Sequence, residues 1–361
     1  MSPTNTTDRP IEIAWFSALC DDDYEFLGVP DPALQSSWEH CSDIVRAADR
    51  HGLDNVLLPS GYTLGIDSTA FAAAIATHTT DINLLLAVRM GEMWLPQLAR
   101  QLASIDRFAH GRLCINIISS DIPGEALESA PRYQRTREWM QVLRSLLNGE
   151  SIDFHGEFVD LQLDPPRIST VSGTCPPFYF GGFSDAAKDV AAAEADVFLT
   201  WPDTVAAVGE TVTEMQGRAE SYGRELTYGL RAHVIVRETE AEARAAADRL
   251  VSKLDDDTGA AIRGKSLDSA SVGVQRQAAL RESASDDGYA EANLWTGVGR
   301  ARSGAGAAIV GNPDQVAAKL EAYRAVGVSA FILSGYTHRA ELDLFARYVL
   351  PKLDHAPLKP R

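Results

Sequence analysis

Two short runs near the end of the chain carry side chains that strands seldom hold without a reason. Gly229-Leu230-Arg231-Ala232-His233-Val234-Ile235-Val236 is apolar and strand-like, with a guanidinium and an imidazole inside it. Phe331-Ile332-Leu333-Ser334-Gly335-Tyr336-Thr337-His338 is apolar and ends in a phenol and an imidazole. Each polar pair is spaced i, i+2, so in an extended chain both side chains point the same way. An unpaired buried charge is costly. Two such strands therefore point to a polar pocket that holds an anion and moves a proton. The bland alternative is structural: Arg231 and His233 in a buried network with one of the chain's many carboxylates, Tyr336 a loop phenol, His338 a helix-start imidazole.

The elements that must position these residues alternate strand and helix. Strands are expected at 11–16, 55–59, 82–88, 113–118, 177–181, 197–200, 228–236 and 329–334. The run at 82–88 is continuously apolar, as a parallel strand buried on both faces should be. Helices are expected at 38–51, 68–76, 94–108, 131–147, 184–193, up to 222, 239–254, 313–326 and 338–349. A small hairpin is expected around Phe154-His155-Gly156-Glu157-Phe158. Residues 255–307 are charged and glycine-rich, with no strand expected, and read as a lid or a disordered insertion. Eight alternating units fit an α/β fold, a (β/α)8 TIM-type barrel spanning 1–361 as a single domain. Its longest insertion precedes strand eight, and residues 1–10 form a polar tail. Barrel sites lie past the C-terminal ends of strands. Tyr336 and His338 obey that rule, whereas Arg231 and His233 require strand seven to extend or shear to the mouth.

Other candidates each have a plainer reading beside them. Phe178-Tyr179-Phe180-Gly181-Gly182-Phe183-Ser184-Asp185 is a strand, a glycine turn and a serine at a helix start. It suits a phosphate, or is simply an N-cap after a tight turn. Asn116, in Asn116-Ile117-Ile118-Ser119-Ser120, offers an amide to a polar cofactor tail; its neighbours equally suit turn capping. Arg302, in Gly299-Arg300-Ala301-Arg302-Ser303-Gly304-Ala305-Gly306, closes over an anion or sits in a solvated loop. Trp201 ends strand six as a wall for a flat ring or as core packing. His40, His51, His78, His110, His155 and His355 read as surface residues.

The 361 residues are 45% hydrophobic and 23% charged, a globular composition. The net charge of −17 argues against nucleic acid and anionic membranes as partners. No apolar run approaches a bilayer span, and the first ten residues lack a signal-peptide core. Four widely spaced cysteines without C-x-x-C read as reduced thiols of a cytoplasmic protein. No metal-ligand spacing, nucleophile elbow, P-loop or Rossmann fingerprint is present in the sequence.

Taken together the motifs resemble the bacterial luciferase-like flavin-dependent monooxygenases, most of all the two-component alkanesulfonate type. The segments that carry the resemblance are Tyr179 to Asp185, Leu199-Thr200-Trp201, Arg231 to Thr239, Asn293 to Gly299, Gly304-Ala305-Gly306 and Leu333 to His338. The resemblance implies reduced FMN supplied by a separate NAD(P)H-dependent reductase, with O2 as co-substrate. An organosulfonate C–S bond is cleaved to an aldehyde, sulfite and oxidised FMN. It implies active-site positions for Arg231, His233, Arg302, Tyr336 and His338, and a pocket wall at Trp201. It places the FMN phosphate on Gly181, Gly182, Phe183 and Ser184, with Asn116 and Tyr133 near the flavin. A homodimer or homotetramer is usual in the family.

Three loops depart from the family pattern. Ser17-Ala18-Leu19-Cys20 stands where the family has a His, which places Cys20 in the substrate pocket. The loop Ser60 to Asp67, around Tyr62, is longer and lacks the family's Cys. Arg89-Met90-Gly91-Glu92-Met93-Trp94 replaces a plainer stretch. A more polar substrate such as a sulfonated sugar is a credible alternative, as is another C–S or C–N cleaving oxygenase. A flavin-binding protein without turnover and a deazaflavin-dependent reductase remain as different classes.

Overall fold

The computed structural model describes residues 9–62, 65–122, 124–125, 127–264, 271–302 and 304–359. Eight parallel strands close into a barrel: β1 (Glu12–Phe16), β2 (Asn55–Leu58), β3 (Asn83–Arg89), β4 (Leu113–Ile118), β5 (Phe178–Phe180), β6 (Val197–Thr200), β7 (Thr227–Val236) and β8 (Ala330–Ser334). Each pairs with its sequence neighbours, and β8 pairs with β1 to close the ring. The barrel is thus a TIM-type (β/α)8 fold. Every strand lies within one residue of its expected span at each end.

Burial on both faces explains the apolar runs. Ala14, Phe16, Leu57, Leu85, Cys114, Tyr179, Val197 and Ile332 pack inside the barrel. Their alternates Ile13, Trp15, Val56, Leu58, Leu84 and Leu86 pack outward against the helices. Helix starts are satisfied by local acceptors. Ser37, Asp67 and Thr204 cap through their side chains, and Thr239–Glu242 and Asn312–Gln315 form reciprocal capping boxes.

The long β7 places Arg231 and His233 at the mouth. β6 pairs with β7 only as far as Leu230, and the last residue of β8, Ser334, is level with His233. Beyond that, β7 leaves the barrel and pairs with the strand Ala308–Gly311. An apolar run as long as β7 therefore serves two partners on the same sheet, first β6 and then Ala308–Gly311.

The insertion differs from expectation. Residues 255–307 include the helices Asp256–Gly264 and Val272–Glu282 and an antiparallel pair, Tyr289–Glu291 with Leu294–Trp295. Leu294–Trp295 continues onto Ala308–Gly311, a strand just past the insertion that the sequence reading also missed. Its run, Ala308-Ile309-Val310-Gly311, is short and bounded by glycines, so it gives almost no periodic signal. Residues 265–270 and Ser303 of the expected lid lie outside the described residues, as do residues 1–8 of the expected tail. Among the described residues, no helix is long and apolar enough to cross a membrane.

The barrel floor is built around a carboxylate. Glu12 is fully buried and accepts from Tyr179 Oη at 2.9 Å, Asn55 Nδ2 at 3.4 Å and Leu358 N at 3.1 Å. The C-terminal segment crosses beneath it, with Lys359 Nζ donating to the Leu113 carbonyl at 2.8 Å. Burial pushes the Glu12 carboxyl up to about 7, outweighing these hydrogen bonds. A raised folded pKa favours the folded state below the ordinary carboxylate range, and that advantage is lost as pH rises through about 7. Glu12→Gln should therefore remove roughly 3 kcal/mol of the stability change between pH 4.5 and pH 7.5. Urea unfolding of both proteins across that window checks this, and parallel pH profiles would refute it.

Candidate active site

A cavity of about 540 Å3 opens at the C-terminal ends of the strands. That volume is typical of small-molecule and cofactor sites, roughly 300–1,000 Å3. Asn116, Tyr133, Trp201, Arg231, Arg302 and the whole turn Gly181 to Ser184 line it, so the structure brings these expected residues together. His233, Tyr336 and His338 do not line it; they form a buried second row behind Arg231, Arg302 and Phe16. Cys20 is also off the wall, and burial, reinforced by Asp22, pushes its thiol far up, so it is no thiolate.

Two guanidiniums define one end. Both sit over the Phe16 ring, Arg231 at 4.5 Å and Arg302 at 5.5 Å from its centroid. Arg231 Nη2 donates to Ser334 Oγ at 2.7 Å, and Nη1 reaches the Ile332 carbonyl at 3.4 Å. No carboxylate among the described residues forms an ion pair with it. Burial, then the charge of Arg302, pull its pKa down to about 9, which still leaves it charged at neutral pH. Arg302 is compensated: Nη1 donates to Asp22 Oδ2 and to Tyr336 Oη, each at 2.9 Å. Burial opposes the Arg302 charge, but Tyr336 and Asp22 outweigh it and raise the pKa.

The second row is aromatic. The His233 ring stacks on Tyr336 with centroids 5.1 Å apart, and His338 meets Tyr336 edge-on at 5.6 Å. Burial, opposed by Arg302, pushes the Tyr336 phenol up to about 12, so it is protonated at neutral pH. Burial, then Arg231, Arg302 and His338, hold His233 well below the usual imidazole range, so it is neutral. His338 Nδ1 lies 3.0 Å from the Phe16 carbonyl, which can only accept, so Nδ1 carries hydrogen. Among the described residues the Nε2 atoms of His233 and His338 have no partner within hydrogen-bond geometry, and neither do Ser17 Oγ and Asp22 Oδ1.

The other end is a glycine turn. A Cβ on Gly181 would stand 2.2 Å from the Leu199 carbonyl oxygen, and one on Gly182 2.5 Å from the Ala187 Cβ. No side chain fits there. Ser184 accepts from Ala187 N at 3.3 Å and so caps the helix Asp185–Glu194, as the plainer reading expected, while still lining the cavity. Arg132 adds a cation to the wall, over the Tyr133 ring at 5.3 Å. The insertion completes the enclosure: a Cβ on Gly273 would lie 2.7 Å from Trp201 and 2.9 Å from Phe183.

Sequence reasoning missed four participants. Phe16 ends β1 and reads as core. Asp22 lies in the run Asp21-Asp22-Asp23, which reads as a solvated charge cluster. Arg132 shows no motif. Ser334 was visible inside the second strand pattern but carried no assigned task. Two histidines expected at the surface are partly buried and paired: His40 Nε2 with Asp23 at 2.9 Å, and His355 Nδ1 with Asp54 at 2.9 Å.

With this geometry in view, the comparisons are consistent. The model of the luciferase-like monooxygenases matches residues 26–330, and the chain belongs to that family. A sulfoquinovose monooxygenase of Novosphingobium aromaticivorans is 64% identical over 97% of this chain and 99% of its own length. Another, of Agrobacterium fabrum, is 49% identical over 95% of this chain and 89% of its own. The protein is thus a monooxygenase by family and by relatives. Two solved structures share the fold at low identity. A long-chain alkane monooxygenase matches with a TM-score of 0.78 at 16% identity, covering 98% of this chain and 94% of that one. EDTA monooxygenase from a Chelativorans species matches at 0.77 and 18%, covering 95% and 93%.

The Gly273 contact is open to test. Gly273→Val should cost about 1–3 kcal/mol of local stability by overpacking against Trp201. Amide exchange should speed up across Val272–Glu282 and stay unchanged in β1 to β4. Equal exchange in variant and wild type would show that this helix does not bear on the aromatic wall.

Proposed function

We propose that this chain is a reduced-FMN- and O2-dependent monooxygenase that cleaves the C–S bond of a sulfonated sugar. The observation that carries the reading is Arg231, a buried guanidinium with no carboxylate ion-paired to it among the described residues, facing a cofactor-sized cavity beside a second arginine. A sulfonate supplies the missing charge and matches the planar donors of arginine. The relatives favour the sugar over a plain alkanesulfonate.

The residues fit FMN. The turn Gly181 to Ser184 brings backbone and the start of a ten-residue helix to the cavity, which favours a phosphate. Asn116 and Tyr133 line the wall where the flavin would lie, beside Arg132, which is paired with Asp121 at 3.3 Å. When bound, reduced FMN supplies the two electrons that activate O2. One oxygen atom ends on the carbon as a carbonyl and the other in water, with sulfite and a proton released. In this reading Arg231 and Arg302 hold the sulfonate. Tyr336, protonated and held by Arg302, donates a proton, and His338 Nε2 accepts one. The insertion, with Phe183 and Trp201, keeps water from the reaction. A separate reductase delivers the reduced flavin.

Sulfite release with a reductase, FMN and O2, across sulfoquinovose and straight-chain sulfonates, tests the assignment. Sulfite from the sugar well ahead of the alkanesulfonates is expected. A flavin-binding protein that releases no sulfite from any sulfonate would overturn the reading. Arg231→Ala should lower kcat/KM by roughly 30- to several-thousand-fold, the effect of removing about 2–5 kcal/mol of charged contact. Arg231→Lys should recover only part of it, because the ammonium keeps the charge and loses the fork.

A further inference from the structure

The hydroxyl of Ser334 lies between two nitrogens that compete for it. Arg231 Nη2 is 2.7 Å from Oγ, and His233 Nδ1 is 2.9 Å from it. Ser334 is fully buried, and these two are the hydrogen-bond partners of its hydroxyl. A guanidinium can only donate, so Arg231 occupies one lone pair of Oγ. The serine has a single proton to place. If His233 Nδ1 also carried hydrogen, it too would donate to Oγ. The serine proton would then be buried without an acceptor, a state that folded proteins avoid. Giving that proton to Nδ1 satisfies every group, in the order Arg231 to Ser334 to His233.

We propose that Ser334 is a positioning residue that fixes His233 as the neutral Nε2–H tautomer, so that the imidazole behind Arg231 carries its hydrogen on Nε2 and does not act as a base there. His338 supplies the contrast. Its Nδ1 hydrogen is spent on the Phe16 carbonyl, whereas the Nδ1 of His233 accepts from a hydroxyl. The two imidazoles flanking Tyr336 thus use Nδ1 in opposite ways, His233 as an acceptor and His338 as a donor. Among the described residues neither Nε2 atom has a partner within hydrogen-bond geometry. The surroundings agree: burial, Arg231, Arg302 and His338 all resist a positive ring at His233, while the Ala305 backbone acts in the other direction, as a carbonyl facing Nε2–H would. The tautomer stands on geometry alone, and its part in turnover rests on the monooxygenase reading above.

Nitrogen NMR of the full-length protein labelled with 15N-histidine tests this, with His233→Gln used to assign the signals. Bare and protonated ring nitrogens resonate in well-separated ranges. The wild-type spectrum should show His233 with a bare Nδ1 and a protonated Nε2. Ser334→Ala should lose that tautomer, and Ser334→Thr, which keeps the hydroxyl, should restore it. In sulfite-release assays with reductase and FMN, kcat for Ser334→Ala should fall by at least ~10-fold and recover in Ser334→Thr, on the scale of a misplaced proton donor. A protonated Nδ1 in the wild type would overturn the proposal. So would Ser334→Ala that retains the Nε2–H signal, including the case in which only KM rises through Arg231. The expected spectra with no sulfite from any sulfonate would uphold the tautomer and remove only the reaction assigned to it.

Discussion

A positive charge buried without a counter-charge is the constraint around which the barrel mouth is arranged. Arg231 lies inside the barrel and has carbonyls, a hydroxyl and an aromatic face around its guanidinium, but no carboxylate. Neutral dipoles and a ring quadrupole offset part of the desolvation cost and leave the net charge in place. The neighbouring Arg302 raises that cost further. Among the described residues Tyr336 and Asp22 ease that charge only in part, which leaves room for an anionic ligand. The chain as a whole is acidic, at −17, so the attraction must be local and short in range. Two arginines in one low-dielectric recess outweigh a distant, screened excess of carboxylates.

Asp22 shows why Arg302 is treated differently. Its direct ion pair is with Arg302, and it reaches Arg231 only through space, so the pair of cations shares one carboxylate and carries about one unit of excess charge. A sulfonate carries one negative charge, which matches. Had both arginines a carboxylate each, an anion would be repelled. Had neither, folding would bear two unpaired charges. The same ion pair orients the Tyr336 phenol, which accepts from the nitrogen that also serves Asp22. Charge balance and proton placement are thus handled by one short chain of contacts.

Most of the fold was legible because parallel barrel strands are buried on both faces and read as unbroken apolar runs. β4 and β6 were located to the residue. The i, i+2 spacing of Arg231 with His233 survived as a shared inward direction. Less was legible where tertiary contacts rather than local pattern decide. The helix Val272–Glu282 has weak amphipathic patterning, because Gly273 seats it on Trp201 and Gln277 ties it down. Asp22 looked like one of three solvated carboxylates until the insertion brought Arg302 to it across 280 positions of sequence. Cys20, placed in the pocket by analogy with a family position, sits off the wall because Phe16 and Arg302 occupy that approach. His40 and His355 pair with Asp23 and Asp54, partners that no helical or strand periodicity could have announced.

The insertion is joined to the barrel in a way that limits how it can work. The strand Ala308–Gly311 continues the sheet from β7 immediately beyond His233, six residues after Arg302. Gln277 donates to the Pro202 carbonyl at 2.8 Å and accepts from Gly306 N at 2.9 Å, linking the insertion to the loop after β6. Arg281 donates to the Gly299 carbonyl at 2.8 Å. These ties hold both flanks of Arg302, so the segment is a fixed wall carrying one adjustable cation rather than a flap hinged as a whole. Opening the cavity on this side must break either the Asp22–Arg302 pair or the Gln277 bridge. The first is an ion pair with partly exposed ends, and an arriving anion can compete for its guanidinium. The second is two buried hydrogen bonds with no competing ligand in view. The ion pair is the weaker point, so under the proposed function Arg302 is the guanidinium able to exchange Asp22 for the substrate's anion. Binding and enclosure would then be a single exchange of partners at one guanidinium.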